Sequence, residues 1–333
     1  MATAGPRNLI TDVPGILVGH AEDHAAITGT TVVVAEAPAV AAVDVRGGAP
    51  GSRETELLRS GTLVDRVDAV VLSGGSAFGL DAAAGVMDAL AAQGRGFAVG
   101  EARVPIVPAA ILFDLNFPTR RHWTGEPPHR RLGREAVARA AKDFALGNAG
   151  AGLGAKAGRL KGGLGSASFV LRDGATIGAI VAVNAVGSVV RPDCGRLWAA
   201  EFALPGEIPP QPGTPSTPLD PEDFSACAAL LAGANTTIAL VATDAPLDKN
   251  ACQRFAMMAQ DGLARAIRPA HTPFDGDTVF ALSTGTGTPV APERLAVLGS
   301  LAADCLARAV MRAVVAAEPL GGYPSWHQLY ASG

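Results

Sequence analysis

Gly233-Ala234-Asn235-Thr236-Thr237-Ile238-Ala239-Leu240-Val241-Ala242-Thr243-Asp244 decides how the rest of the chain is read. Small residues lead into a β-branched run without a polar face. That predicts a strand over 237–243 buried on both sides, which belongs inside a layered α/β protein. A threonine stands where the small approach meets the strand. If the bond between Asn235 and Thr236 were cut, Thr236 would carry a hydroxyl and a free α-amine together, a nucleophile with its own base. An α-amine has an ordinary pKa of about 7.7–8.0, so modest depression lets it accept the hydroxyl proton. Two plainer readings stand beside this one. Asn235-Thr236-Thr237 matches a glycosylation acceptor pattern, and threonine opening a strand is ordinary β propensity.

Outward from this stretch, further strands are predicted over 30–35, 69–73, 168–171, 177–183 and 279–283, several too apolar to have a solvent face. Helices are predicted over 79–93, 132–146, 250–267 and 292–317, where apolar residues recur at three and four. Seven prolines in the nineteen residues 205–223 mark an exposed connector that separates a long N-terminal part from the segment opening on the 237–243 strand.

The chain has 333 residues, of which 48% are hydrophobic and 17% charged, too apolar for a disordered chain. No run approaches the ~18 apolar residues of a membrane span, so a soluble protein with large subunit interfaces is expected. A net charge of −4 with 5% aromatics offers neither a basic groove nor stacking platforms, which argues against nucleic acid as a partner. Arg120, Arg121, Arg130, Arg131 and Arg134 read as a solvated loop and helix start. Cys194, Cys227, Cys252 and Cys305 lack C-x-x-C spacing and read as buried thiols. The first residues lack an apolar signal core, so a cytoplasmic location is expected.

Several motifs fail on detail. Residues 147–168 hold eight glycines, but G-x-x-x-x-G-K-[ST] is absent, leaving a run of tight turns that allows close backbone approach. His20 and His24 lie four apart without the glutamate of H-E-x-x-H, and Asp275-Gly276-Asp277 opens like a calcium loop but meets Thr286 at the twelfth position. No metal is assigned. Ser73-Gly74-Gly75-Ser76 runs from strand through a glycine turn to helix, yet Phe78 breaks G-x-S-x-G, so these serines read as caps or pocket lining.

Asp44-Val45-Arg46-Gly47-Gly48-Ala49-Pro50-Gly51-Ser52-Arg53-Glu54-Thr55 resembles the signature of a self-processing aminopeptidase and amidohydrolase family. That family includes L-aminopeptidase/D-esterase, the β-aminopeptidases and nylon-oligomer hydrolase. Further matching blocks are Asp12-Val13-Pro14-Gly15-Ile16-Leu17-Val18-Gly19-His20, residues 72–80, Lys161-Gly162-Gly163-Leu164-Gly165, Val183-Asn184-Ala185-Val186-Gly187 and residues 274–285, so the resemblance covers nearly the whole chain.

The resemblance implies a single four-layer α/β/β/α sandwich, similar to N-terminal-nucleophile hydrolases but with distinct connectivity. It implies autocleavage at Asn235–Thr236 into chains 1–235 and 236–333. The Asn-Thr junction and the Asp-x-Asp pair look closest to the 6-aminohexanoate-oligomer endohydrolases. Thr236 is then the nucleophile, and Asp277 orients its amine with Asp275 in support. Lys161 lowers the amine pKa, Asn184 stabilises the oxyanion, and Gly74, Gly75 and Ser76 line the substrate site. The choice of Lys161 over Lys156 rests on the Lys-Gly-Gly match alone. No cofactor is implied. The expected partners are an amide substrate, small or oligomeric, and copies of the chain itself, as a tetramer of cleaved heterodimers. Alternatives are an exopeptidase or esterase acting on N-terminal D-, L- or β-amino acid amides, and a non-catalytic ligand-binding homologue.

Overall fold

The computed structural model describes residues 2–215, 219–228 and 235–330. Among these, one mixed nine-stranded sheet contains β1 (Ile16–Asp23), β2 (Thr28–Val45), β3 (Ser52–Arg53), β4 (Arg66–Ser73), β5 (Ala109–Ile111), β6 (Gly163–Val170), β7 (Thr176–Asn184), β8 (Thr236–Thr243) and β9 (Thr278–Ser283). The order is β6-β7-β8-β9-β2-β4-β5-β3, with β1 on the first half of β2. The helices are α1 (Asp81–Ala92), α2 (His129–Ala138), α3 (Lys249–Ala259), α4 (Asp261–Ala266), α5 (Pro292–Val315) and the short α6 (Trp326–Tyr330).

Strand alternation turns this sheet into two packed layers. On β7, Ile177, Ala179, Val181 and Val183 join the cluster beneath α3, α4 and α5, while Ile180 and Ala182 point the other way. There they meet Ile238, Leu240 and Phe280 and, from the other half of the sheet, Val33, Val70 and Leu72. Val32, Val34, Ala69 and Val71 face outward onto Ala82, Val86, Leu90, Leu132 and Ala136 of α1 and α2. Three apolar seams therefore separate four layers, α/β/β/α, and both faces of each sheet half are buried, as the uninterrupted apolar strands imply.

The structure extends or shortens several predicted elements. β2 runs eighteen residues because its pairing passes through an exposed irregularity at Glu36-Ala37-Pro38, with a register shift between Val34 and Ala39. Its first half serves one layer and its second half pairs with β9 in the other. α2 stops at Ala138, short of 146, because Ala141 leaves to exchange both backbone hydrogen bonds with Val18. The predicted 250–267 helix breaks at buried Gln260, whose side chain donates to Asp44 O at 2.8 Å. The glycine-rich run does allow close approach: a Cβ on Gly165 would stand 2.0 Å from Ala309 O, so α5 lies directly on β6.

Ser73 is buried and bonds Thr30 Oγ1 at 2.9 Å, a cross-strand pair and not an exposed nucleophile. Arg130 and Arg134 share Asp88, tying α2 to α1 through exposed ion pairs. Cys252 and Cys305 are buried as expected, and burial pushes the Cys305 thiol up to about 12, whereas Cys194 and Cys227 are only half-buried. No helix among the described residues is long and apolar enough to cross a membrane.

The described part of the proline-rich connector is half-buried to exposed, apart from one anchor. The Glu207 carboxylate takes two bonds from the wholly buried Arg308 of α5, at 2.7 and 2.6 Å, and one from Asn8 Nδ2 at 2.8 Å. Arg308→Leu would leave this carboxylate buried and unpaired, so it is expected to destabilise the fold by about 3–5 kcal/mol, read as a lowered denaturation midpoint in urea.

Candidate active site

The register of three strands brings the polar ends together. Thr236 opens β8 opposite Asn184, the last residue of the antiparallel β7, while Asp277 immediately precedes β9, which runs parallel to β8. Asn235, Thr236, Asn184, Asp275 and Asp277 are all buried at this edge. The preceding residues 229–234, including Gly233 and Ala234 of the opening stretch, lie outside the described residues.

The Thr236 hydroxyl donates to the carbonyl oxygen of its own predecessor, Asn235, and accepts from Gly276 N–H at 3.1 Å. A backbone donor thus fixes one side of the oxygen while the other lies against the Asn235–Thr236 peptide. Gly276 is needed for that approach, since a Cβ there would stand 2.8 Å from Thr236 Oγ1. The Gly47-Gly48 pair of the signature segment has a similar purpose. Arg46 and Gly47 N–H donate to Asp277 O, Ala49 N–H donates to Asp275 O, and a Cβ on Gly47 would collide with the Asp277 backbone at 2.3 Å. The signature is the mould for the Asp275-Gly276-Asp277 turn.

The two carboxylates have different partners. Asp277 Oδ1 accepts from Thr237 N–H at 2.8 Å, gripping the residue after the threonine, and Oδ2 takes His271 N–H and ring Nδ1, both at 2.9 Å. Asp275 accepts from Val186 N–H at 3.2 Å and from the backbone and hydroxyl of Thr272. Burial, then the neighbouring Asp277 charge, raises the Asp275 pKa.

Both candidate lysines belong to this region. Lys161 is wholly buried, and its ammonium donates to Gly152 O and Gly162 O at 2.8 and 2.9 Å. Burial pushes it down to about 7, against the opposing pull of Asp114. Lys156 pairs with Lys161 across a two-stranded hairpin; its backbone N–H donates to Asn184 Oδ1 at 3.0 Å and its ammonium to Asn116 Oδ1. Among the described residues neither ammonium hydrogen-bonds to Thr236. Asn184 Nδ2 donates one proton to Phe113 O at 3.1 Å, which leaves the second for another acceptor.

Gly74 and Gly75 are buried and Ser76 half-buried. Gly75 has φ +88° and donates its N–H to Asp114 Oδ1 at 2.8 Å, and a Cβ there would stand 2.1 Å from His129 Nε2. The turn therefore packs on Asp114, which connects it to the lysines. Asp114 and Asn116 were missed in the sequence. Asp114 and Asn116 sit in an irregular segment with no periodicity, and the one available signal was an acid directly after an apolar strand.

A model of peptidase family S58 matches residues 8–326. The chain is 46% identical over 353 aligned positions to an uncharacterized aminopeptidase of Mycobacterium tuberculosis, covering 97% of this chain and 98% of the relative. It is 33% identical to the 6-aminohexanoate-oligomer endohydrolase of Paenarthrobacter ureafaciens, covering 93% and 87%. The solved L-aminopeptidase D-Ala-esterase/amidase of Ochrobactrum anthropi, described as a variant of the Ntn hydrolase fold, superposes with TM-score 0.70 at 24% identity, over 97% of this chain and 90% of that one.

Proposed function

The chain belongs to peptidase family S58 and is an amide-bond hydrolase, and from that premise we propose that it cuts itself between Asn235 and Thr236 and then works through Thr236 as an N-terminal nucleophile. The observation that carries this reading is the placement of the Thr236 hydroxyl on the Asn235 carbonyl group, inside a ring of buried polar groups. In maturation Thr236 Oγ1 attacks the Asn235 carbonyl carbon. The amide nitrogen leaves as the new α-amine, and water cleaves the resulting ester to release the Asn235 carboxylate and restore the hydroxyl. The former linker then ends at Asn235, and the small chain begins at 236.

In turnover the same oxygen attacks a substrate amide. The α-amine takes the hydroxyl proton and passes it to the leaving amine, and water resolves the acyl-enzyme. Asp277, already on Thr237 N–H, orients the amine, with Asp275 supporting it or taking a substrate ammonium group. Charged Lys161 disfavours protonation of that amine, and the spare Asn184 N–H receives the oxyanion. Gly74, Gly75 and Ser76 border the substrate.

The substrate class is a linear amide of the 6-aminohexanoate-oligomer type, supported by the Asn-Thr junction, the Asp-x-Asp pair and the relative of that name. The relatives named aminopeptidases favour a second reading, removal of N-terminal D-, L- or β-amino acids from amides or esters. Release of monomer from only one end of an oligomer would decide for the second. A tetramer of cleaved heterodimers in the cytoplasm completes the proposal. On denaturing electrophoresis the purified protein is expected to give fragments of roughly 24 and 10 kDa out of 33.6 kDa, the smaller beginning Thr-Thr-Ile. Intact polypeptide throughout an active preparation would overturn it.

A further inference from the structure

One buried carboxylate has no part in the scheme above. Asp114 follows β5 and is wholly shielded from solvent. Gly75 N–H occupies Oδ1, while Oδ2 has no partner in hydrogen-bond geometry among the described residues, only the Thr28 hydroxyl close enough to favour its charged form. The backbone closes around that oxygen: a Cβ on Gly74 would stand 2.0 Å from it, and one on Gly154 3.0 Å. No room is left for a solvating shell, and a bare carboxylate in such a place needs a nearby positive charge.

Two buried lysines share its surroundings, Lys161 and Lys156, 0% and 5% exposed: the Lys161 ammonium holds Gly152 O, two residues from the Gly154 that packs on Asp114, and the carboxylate field acts on both. The partners of Lys161 Nζ are neutral carbonyls, and that of Lys156 Nζ is a neutral amide. The same short segment touches the site on both sides of Asp114: Phe113 O holds Asn184, and Asn116 holds Lys156. Two further charged or titratable groups surround Asp114. Arg120 acts on it from its own segment, and His129 of α2 is reached through Thr28 Oγ1 at 3.3 Å, with Asp23 acting on that imidazole.

We propose that Asp114 is a positioning residue for the hydrolase reaction, the counter-charge that keeps Lys161 an ammonium ion inside the closed site. The inference rests on the proposed function, because a neutral Lys161 would not disfavour protonation of the Thr236 amine. Burial already brings Lys161 to about 7 with Asp114 present, and holds Asp114 itself at about 6. Loss of the carboxylate charge therefore moves Lys161 further down, out of its charged form at neutral pH.

The chain has only four lysines, Lys142, Lys156, Lys161 and Lys249, so their ε-carbons can be followed by NMR after ¹³C labelling, with Lys161→Met assigning the signal. The experiment uses full-length Thr236→Ala protein, which neither cleaves nor turns over. Adding Asp114→Asn keeps an acceptor for Gly75 N–H and is expected to lower the Lys161 midpoint by about one pH unit or more. Reciprocally, Lys161→Met should raise the midpoint of the Asp114 carboxyl carbon, and this second measurement stands even if Asp114→Asn does not fold. Midpoints unmoved in both overturn the proposal. In the active enzyme, Asp114→Asn should shift the alkaline limb of kcat to lower pH with KM little changed. A wild type that never cleaves or hydrolyses would defeat the functional reading while leaving the titration result intact. An active wild type with unmoved midpoints would defeat this inference alone.

Discussion

Thr236→Ala is expected to accumulate as one 33.6 kDa chain with hydrolysis reduced by about 10⁴-fold or more, the scale on which a covalent nucleophile is lost. Alanine removes the one oxygen that both lies on the Asn235 carbonyl and accepts from Gly276, and no neighbouring hydroxyl replaces it. Ser73 is engaged with Thr30 inside the sheet, and the Thr237 side chain belongs to the opposite face of β8 by strand alternation. The fold should persist, because the backbone of residue 236 still pairs with Asn184. Thr236→Ser is the control. It keeps the oxygen and should restore two fragments and most of the activity, measured on the same gel and with the same amide substrate. Two fragments from Thr236→Ala would show that the cut does not depend on this hydroxyl.

Lys161→Met is expected to lower the rate at pH 7 by up to about tenfold and to lower the thermal midpoint as well. The loss follows from the charge. In the proposed mechanism the Thr236 amine then returns to its ordinary pKa of about 7.7–8.0, so only about a tenth of it is free at pH 7 to take the hydroxyl proton. The destabilisation follows from burial: methionine fills a similar volume, but the buried Asp114 carboxylate keeps one ammonium neighbour fewer, and Gly152 O and Gly162 O lose a donor.

The pH dependence gives a second signature of the same change. Lys161 has a folded-state pKa of about 7 against an ordinary 10.5, so between those values the unfolded chain binds more protons than the folded one. Stability should therefore rise with pH across that window and be penalised below it. Lys156 and Lys249 are displaced in the same direction and add to the slope. Lys161→Met should flatten the slope without abolishing it, measured by urea unfolding at several pH values on the Thr236→Ala background. An unchanged slope would mean that Lys161 titrates normally, and an unchanged rate would remove it from the mechanism.

The signature segment shows how far a linear motif can be read and where it stops. Gly47-Gly48 was recognisable by resemblance, but its physical task, letting the backbone lie against the Asp275–Asp277 turn, exists only once β9 and the end of β2 are neighbours. The Lys161 match was legible through the adjoining glycines, yet the alternative Lys156 proves to be its hairpin partner, and the field of the same acid acts on both. Glu36-Ala37-Pro38 reads locally as a strand stop, and only the pairing of Ala39–Val45 with β4 and β9 carries the strand through it.

What the sequence by itself determined was the layered α/β class, the burial of 237–243 on both faces, and the Asn-Thr junction at the head of that strand. Periodicity, apolar content and local motifs act between residues close in the chain, and those properties survive without a fold. What only the tertiary structure decided was the company Thr236 keeps: Asn184 opposite it, the Gly276 N–H on its oxygen, and Asp114 behind the lysine pair. These groups come from segments about 40 to 120 residues away. Their electrostatic effect depends on distance and on exclusion of water, and neither exists until the sheets close over them.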